Sequence, residues 1–568
     1  MNLLIIMMLT RIMEGFYILR WIQQDKDLEE HPNKARIIYF ARSFNLHPLL
    51  IQYLFFHNIK NWQDIYQFLY PSINNLHDPF LLNDMKKAVT RILNAIANKE
   101  NIFIFGDYDC DGITSTTLLF QCLKSLGANV DFKLPLREEG YGLTSTAVHK
   151  ITGKNISLVI TVDNGSSAHD AMKIAKQYGI DVIVTDHHEI TGKHPDCYAF
   201  INPKRTDSTY PFSDLAGVGV AFKLAHALHI TTQTNWYQYY SNYIELAALG
   251  TIADLMPLSD ENRIICHLGL RKINTNPSYA FKLILNTMKR NQITSSTIGY
   301  QIAPLFNALG RIADPNIAVH VLTDTHINEK SISTLFQLNE KRKQMTVSQF
   351  SECQRIICSK KLHDNHVIVV HGEFHHGLIG ILASKITEIY QKPAIVISNT
   401  GTGSCRSVNG TNFSIINTLS RCSEHLSKYG GHQAAAGFSI EMKEEVLDKF
   451  HQNIQVSATF EEPIIPTKLY FNKHCPNEFV QYLYPEIFLL EPFGQRFEQP
   501  TFLSPPLQIE KFETFGANKN HLRLYLPTNE CFYLFNSGNH DFYEQPYQYF
   551  YTPTLAKPNE FIIHGIQR

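Results

Sequence analysis

Carboxylates gather in three short strings of this chain: Gly106-Asp107-Tyr108-Asp109-Cys110-Asp111-Gly112, Val162-Asp163-Asn164-Gly165 and Thr185-Asp186-His187-His188. A fourth acid, Asp254, follows in Ala253-Asp254-Leu255-Met256-Pro257. Carboxylates brought together repel one another and rise in pKa unless a cation neutralises them. Oxygen-rich donors suit hard divalent ions such as Mg²⁺ or Mn²⁺, and an imidazole among them favours Mn²⁺. Any one string has an ordinary explanation as a strand end, helix cap or turn. Their combination points to a metal site. Cys110, read as part of a strand-end loop, alternates in direction with Asp109 and Asp111 and points away from the ion.

Each string closes an apolar run. Ile102–Phe105, Ile156–Thr161 and Asp181–Thr185 are rich in Ile, Val and Phe, as strands covered on both faces should be. Thr116–Leu126 and Ala168–Tyr178 carry apolar residues at helical spacing and stop at Gly127 and Gly179. Alternating strands and helices predict a mostly parallel sheet, with the acids and histidines at one edge, where α/β folds keep their active sites.

In order and spacing the four acidic strings resemble the motifs of the DHH phosphoesterase superfamily, and Gly430-Gly431-His432-Gln433-Ala434-Ala435-Ala436-Gly437 resembles the motif of its DHHA1 domain. The strings starting at Arg137, Leu215, Asn307, His375, Gly403 and Leu490 resemble the branch of single-strand-specific DNA exonucleases, with Phe374 standing where that branch has tryptophan. The resemblance implies two divalent ions, Mn²⁺ or Mg²⁺, held by Asp109, Asp111, Asp163, His187 and Asp254, with Asp163 between them and Asp107 among or just behind the ligands. It further implies that Asp186 orients its neighbours, that His188 faces the scissile phosphate, and that Arg311 and His432 act beside it. Arg137, Asn307, Arg311, Ser404, Arg406, Gly431 and His432 would bind DNA or its 5′ phosphate. The expected reaction is 5′-to-3′ hydrolysis of single-stranded DNA to nucleoside 5′-monophosphates in recombination and repair, with a single-strand DNA-binding protein and a helicase as partners. Two other readings are a phosphodiesterase for short oligonucleotides or cyclic dinucleotides, and an inactive single-strand-binding scaffold.

At 568 residues the chain is long enough for several domains, and a net charge of −1 says nothing for or against nucleic acid. The expected architecture is α/β: two lobes joined by a long helix around a cleft, then a C-terminal β-barrel of OB type. The boundaries read as a mostly helical segment 1–100 appended to the sheet, a DHH catalytic domain 101–325, a connecting helix 326–362, a DHHA1 domain 363–457 and a barrel 458–568. In the barrel, Leu507–Phe512 reads as one of the strands. Lys341, Arg342, Lys343, Arg355, Lys360 and Lys361 on the helix read as a solvated face, or as the floor of the cleft where the helix bridges the lobes. Phe512, Phe515, Phe532, Tyr533 and Phe535 are available as faces for bases, most of them being expected in the core. Ten cysteines without a Cys-x-x-Cys pair suggest reduced thiols and the cytoplasm. The short apolar start Asn2–Leu9 reads as neither signal peptide nor membrane span, and Met13 is a candidate start.

Overall fold

The runs before the three acidic strings fold into neighbouring parallel strands, because side chains buried on both faces leave the chain no polar side to turn to water. The computed structural model describes residues 20–190, 192–324, 326–408, 411–458, 467–474, 476–516, 519, 521–535 and 546–567; the first residues, Met13 among them, lie outside it. The first sheet comprises β1 (Asn101–Phe105), β2 (Asn129–Lys133), β3 (Ile156–Val162), β4 (Asp181–Thr185) and β5 (Ala199–Ile201), all parallel, in the order β2-β1-β3-β4-β5. Phe105 pairs with Thr161 and Val162 with Thr185, so the strands end level and the acidic strings leave the sheet side by side. The helices α1 (Cys110–Ser125), α2 (Gly217–Thr231), α3 (Trp236–Ala253) and α4 (Asp260–Thr275) belong to this lobe; α1, α2 and α3 pack closely together over one face of the sheet, and the helices Ser145–Thr152 and His169–Gln177 cover the other.

Helix α5 (Ala303–Ile312) leads toward the long α6 (Glu329–Ser359), the expected connector. It is anchored at both ends: Ile332 and Leu335 enter the first lobe's core, Cys353 and Ile357 the second's. The second sheet runs β9-β10-β8-β7-β6, from β6 (Ile368–Gly372), β7 (Ala394–Ser398), β8 (Thr402–Arg406), β9 (Leu426–Gly431) and β10 (Ala435–Ile440); only β6 and β7 pair in parallel.

Two expectations need correction. The C-terminal sheet has seven strands, edged by Asn472–Lys473 and Lys511–Phe515, and does not close into a barrel among the described residues. Its expected strand Leu507–Phe512 begins only at Lys511. Pro505 and Pro506 carry no backbone donor, and Leu507 makes a single bridge to Tyr547. Second, the N-terminal segment is divided. Met85–Ala97 packs on the catalytic lobe, but the helices Lys34–Phe44, Pro48–Phe56 and Trp62–Leu69 share one apolar core with the C-terminal sheet. Pro48–Phe56 is almost wholly buried, so it needs apolar partners all round, and the catalytic sheet is already covered on both faces.

Candidate metal centre and phosphate pocket

The first acidic string is less a loop than a helix start. Asp109 is the N-cap of α1, its carboxylate accepting from the Gly112 amide at 3.0 Å, and Cys110 and Asp111 already belong to the first turn. Cys110 is therefore turned into the core by helical geometry rather than by alternation. Its amide donates to Asn307 Oδ1 (2.9 Å), which leaves only the Asn307 amide nitrogen for a phosphate. Asp111 is fully buried and receives two amides from the start of α2, Gly217 at 2.7 Å and Val218 at 2.8 Å. Asp163, directly after β3, adopts left-handed φ of 60°, a strained setting for a residue with a side chain. Asp254 caps the end of α3.

These groups form three overlapping sets whose donor atoms lie within 4.8 Å of one another: Asp107, Asp109 and Asp163; Asp111, His187 and Asp254; and Asp163, His187 and His188. His187 Nε2 stands 3.1 Å from Asp163 Oδ1, 3.6 Å from Asp254 Oδ2 and 3.7 Å from Asp111 Oδ2. Burial, reinforced by the neighbouring carboxylates, drives Asp107 and Asp163 far above the ordinary carboxylate range, Asp111 up to about 7 and Asp254 to about 8. Burial and the charge of His188 push His187 down to about 3, which keeps its imidazole free to act as a ligand. Asp107 Oδ1 and Asp163 Oδ1 are buried without a hydrogen-bond donor. Orphaned oxygens among mutually repelling acids fit divalent cations and leave little other way to neutralise the cluster.

Asp186 stands apart from this set. Its Oδ1 meets His188 Nδ1 at 2.8 Å and the His187 amide at 2.8 Å, while Oδ2 takes the Ser166 amide at 2.9 Å. Burial would raise Asp186, but the hydrogen bond and charge of His188 outweigh it and hold it ionised. Burial would in turn lower His188; Asp186 overrides this and lifts it to about 9. Tyr141, which sequence reasoning passed over as a functional side chain, places its hydroxyl 3.2 Å from His188 Nε2 and 3.3 Å from the Asp163 carbonyl.

Beside the acids lies a group of bases drawn from both lobes. Arg137 stacks over Tyr108 with its guanidinium carbon 4.6 Å from the ring centre. Arg311, at the end of α5, donates to Gly377 O across the lobe junction at 3.3 Å. Burial, with Arg137 and Arg342 nearby, lowers Arg311 to about 10; burial likewise lowers Arg406, which also feels Arg137. Arg406 lies against Ser404 Oγ at 3.3 Å on β8. Arg137, Arg311, Ser404 and Arg406 are thus brought together, and Arg342 of α6 joins them. His375 and His376 feel Arg137 as well and were not singled out as binding residues. Only the resemblance of the string that starts at His375 signalled them. Gly431 and His432 occupy the exposed β9–β10 tip. The His432 amide donates to Ala435 O at 2.8 Å, so that residue offers its imidazole alone.

Three family models match in succession: the DHH family N-terminal domain over residues 101–251, the DHHA1 domain over 364–456 and the RecJ OB domain over 475–555. A single-stranded-DNA-specific exonuclease RecJ of Haemophilus influenzae is 32% identical over 525 residues, covering 87% of this chain and 89% of the relative. That of Bacillus subtilis is 34% identical over 507 residues, covering 87% of this chain; the chain spans 63% of the Bacillus protein. In fold, the chain is similar to the crystal structure of RecJ in complex with Mn²⁺ from Thermus thermophilus, with a TM-score of 0.80 at 24% identity over 94% of this chain and 78% of that one. The motifs, the three successive domains and the near full-length match to the Haemophilus protein agree: the chain belongs to the RecJ family of the DHH phosphoesterases.

Proposed function

We propose that the protein is a metal-dependent exonuclease that hydrolyses single-stranded DNA from its 5′ end to nucleoside 5′-monophosphates, in recombination and repair. The observation that carries this reading is the overlap of three ligand sets through Asp163 and His187, beside arginines contributed by both lobes. Two divalent ions, Mn²⁺ or Mg²⁺, would supply the charge that activates a water and stabilises the leaving oxygen. Asp107, Asp109 and Asp163 would hold one, and Asp111, His187 and Asp254 the other. Asp186 keeps His188 protonated at neutral pH, so that its Nε2–H can serve the scissile phosphate or the departing oxygen. Arg311 is half-buried at the lobe junction, and a guanidinium there can bind phosphate oxygens in pairs. Arg137, Ser404 and Arg406 would form the seat for a terminal 5′ phosphate, and the exposed His432 would act from the second lobe. A single-strand DNA-binding protein and a helicase are the expected partners, and co-purification with each tests this. Every cysteine among the described residues is free, in keeping with a reducing cytoplasm. No helix among those residues is long and apolar enough to cross a membrane.

The test is Mn²⁺-dependent degradation of 5′-labelled and 3′-labelled single-stranded DNA, with duplex DNA, short oligoribonucleotides and Asp163→Ala in parallel. Early mononucleotide release from the 5′ label, absent on duplex and in the variant, is expected. Intact DNA with cleaved oligoribonucleotides would replace this reading with that of a small-substrate phosphodiesterase.

A further inference from the structure

The string Leu490-Glu491-Pro492-Phe493-Gly494 has no part in the ligand sets or the phosphate seat. Leu490, Phe493 and Phe497 pack in the core of the C-terminal sheet and the N-terminal helices, yet the polar bonds of the segment reach into the catalytic lobe. Arg263 of α4, buried and lying flat on Phe68, donates to the carbonyls of Leu490 (3.2 Å), Glu491 (3.3 Å) and Pro492 (3.3 Å). Ser295 Oγ donates to Phe493 O at 2.6 Å, the Leu258 amide to Gln495 O at 2.9 Å, and Arg496 pairs with Asp214 at 2.9 Å.

Two of these attachment points stand just behind metal ligands. Leu258 follows Asp254 through a connection with little slack: the amides of Leu255 and Met256 fold back on Ile252 O and Thr251 O (3.2 Å each), Leu255 is left-handed at φ 55°, and Pro257 follows. Asp214 begins the short approach to Gly217 and Val218, whose amides orient Asp111. Asn262 Nδ2 ties the two loops together through Asp214 O (2.6 Å) and Pro257 O (3.0 Å). Among the described residues, no hydrogen bond or ion pair of 490–497 reaches residues 106–110 or 162–165.

We propose that segment 490–496 is a positioning clasp for one half of the metal centre: by holding Leu258 and Asp214 it sets Asp254 and Asp111, and hence the Asp111, His187 and Asp254 ion, while the Asp107, Asp109 and Asp163 ion feels it only through Asp163, against which Gly217 packs. This rests on the two-ion reading above. The fold supplies a local lever. Gly494 is outside the left-handed region, and a Cβ there would stand 2.6 Å from Leu258 Cδ1, so a side chain at 494 strains the structure through Leu258.

The experiment is calorimetric titration of Mn²⁺ into the full chain without DNA, comparing wild type, Gly494→Val and Gly494→Val with Leu258→Ala. The expected result is that Gly494→Val weakens one of two binding steps about tenfold or more, as loss of a ligand's support does, weakens the other markedly less, and is relieved by Leu258→Ala. Both steps weakened alike, neither weakened, or no relief in the double variant would overturn the proposal. If circular dichroism shows Gly494→Val unfolded, Gly494→Ala is judged by the same criteria. A wild type that binds two ions but leaves single-stranded DNA intact would sink the exonuclease reading and leave the clasp standing.

Discussion

At the scale of single residues, the centre is a competition between burial and charge, and Asp186 and His188 settle it locally. Asp186→Asn keeps the shape but removes the charge that holds His188 protonated. It should lower kcat about 10²- to 10⁴-fold, the usual worth of a placed proton donor, and move the alkaline limb of the pH–rate profile downward from the region of about 9. An unmoved limb would separate His188 from the chemistry. The carboxylates make a second prediction. Between the ordinary carboxylate value of 3.8 and the raised values of about 7 and about 8 for Asp111 and Asp254, the metal-free fold binds more protons than the unfolded chain. It therefore loses stability as pH rises through that window. Bound Mn²⁺ removes the repulsion, so the gain in Tm at saturating Mn²⁺ should grow from about pH 5.5 to about pH 8, readable by scanning calorimetry. The acids were legible in the sequence because each closes an apolar run. Tyr141 and the amides of Gly217 and Val218 were not, since a hydroxyl or a peptide group acquires its role only when a distant loop arrives.

At the scale of elements, helix starts do much of the positioning. Asp111 is held by the first amides of α2, and Gly217 makes that approach feasible: a Cβ there would lie 2.6 Å from Asp163 Cβ. Gly217→Ala should weaken Mn²⁺ binding about 10- to 100-fold, whereas Gly153→Ala, facing open space, should leave it unchanged; isothermal titration distinguishes them. The parallel strands β1, β3 and β4 were readable because they are apolar runs closed by acidic strings, whereas the mixed β2 and the three-residue β5 carry no such pattern. The start of α1 was misplaced because an Asp-rich string looks like a loop until its Asp109 is seen to cap a helix. The C-terminal strands are mixed in polarity, and the two that complete the sheet, Gln548–Pro553 and Glu560–Gln567, pair with each other and, across the intervening chain, with Phe502–Leu503 and Cys531–Leu534.

At the scale of the whole molecule, the two ends of the described chain close on each other. Leu54, fully buried on Pro48–Phe56, shares a core with Phe471, Phe532 and Phe561. Leu54→Ala should cost about 2–5 kcal/mol and, under mild proteolysis, expose the C-terminal sheet before the catalytic lobe; even digestion of both would show that they unfold as one. No local pattern announced this partnership, because apolar helices advertise that they need cover but not which surface provides it.

That shared core has a consequence for how the protein is made. The helix-forming segment 34–69 leaves the ribosome first, and its partner strands begin roughly 400 residues later, a delay of about 20–80 s at translation rates of about 5–20 residues per second. For that interval the nascent chain carries an uncovered greasy helix ahead of a catalytic lobe free to fold on its own. Holdase chaperones should therefore engage residues 34–69 on ribosome-bound chains and let go once synthesis passes the last strand.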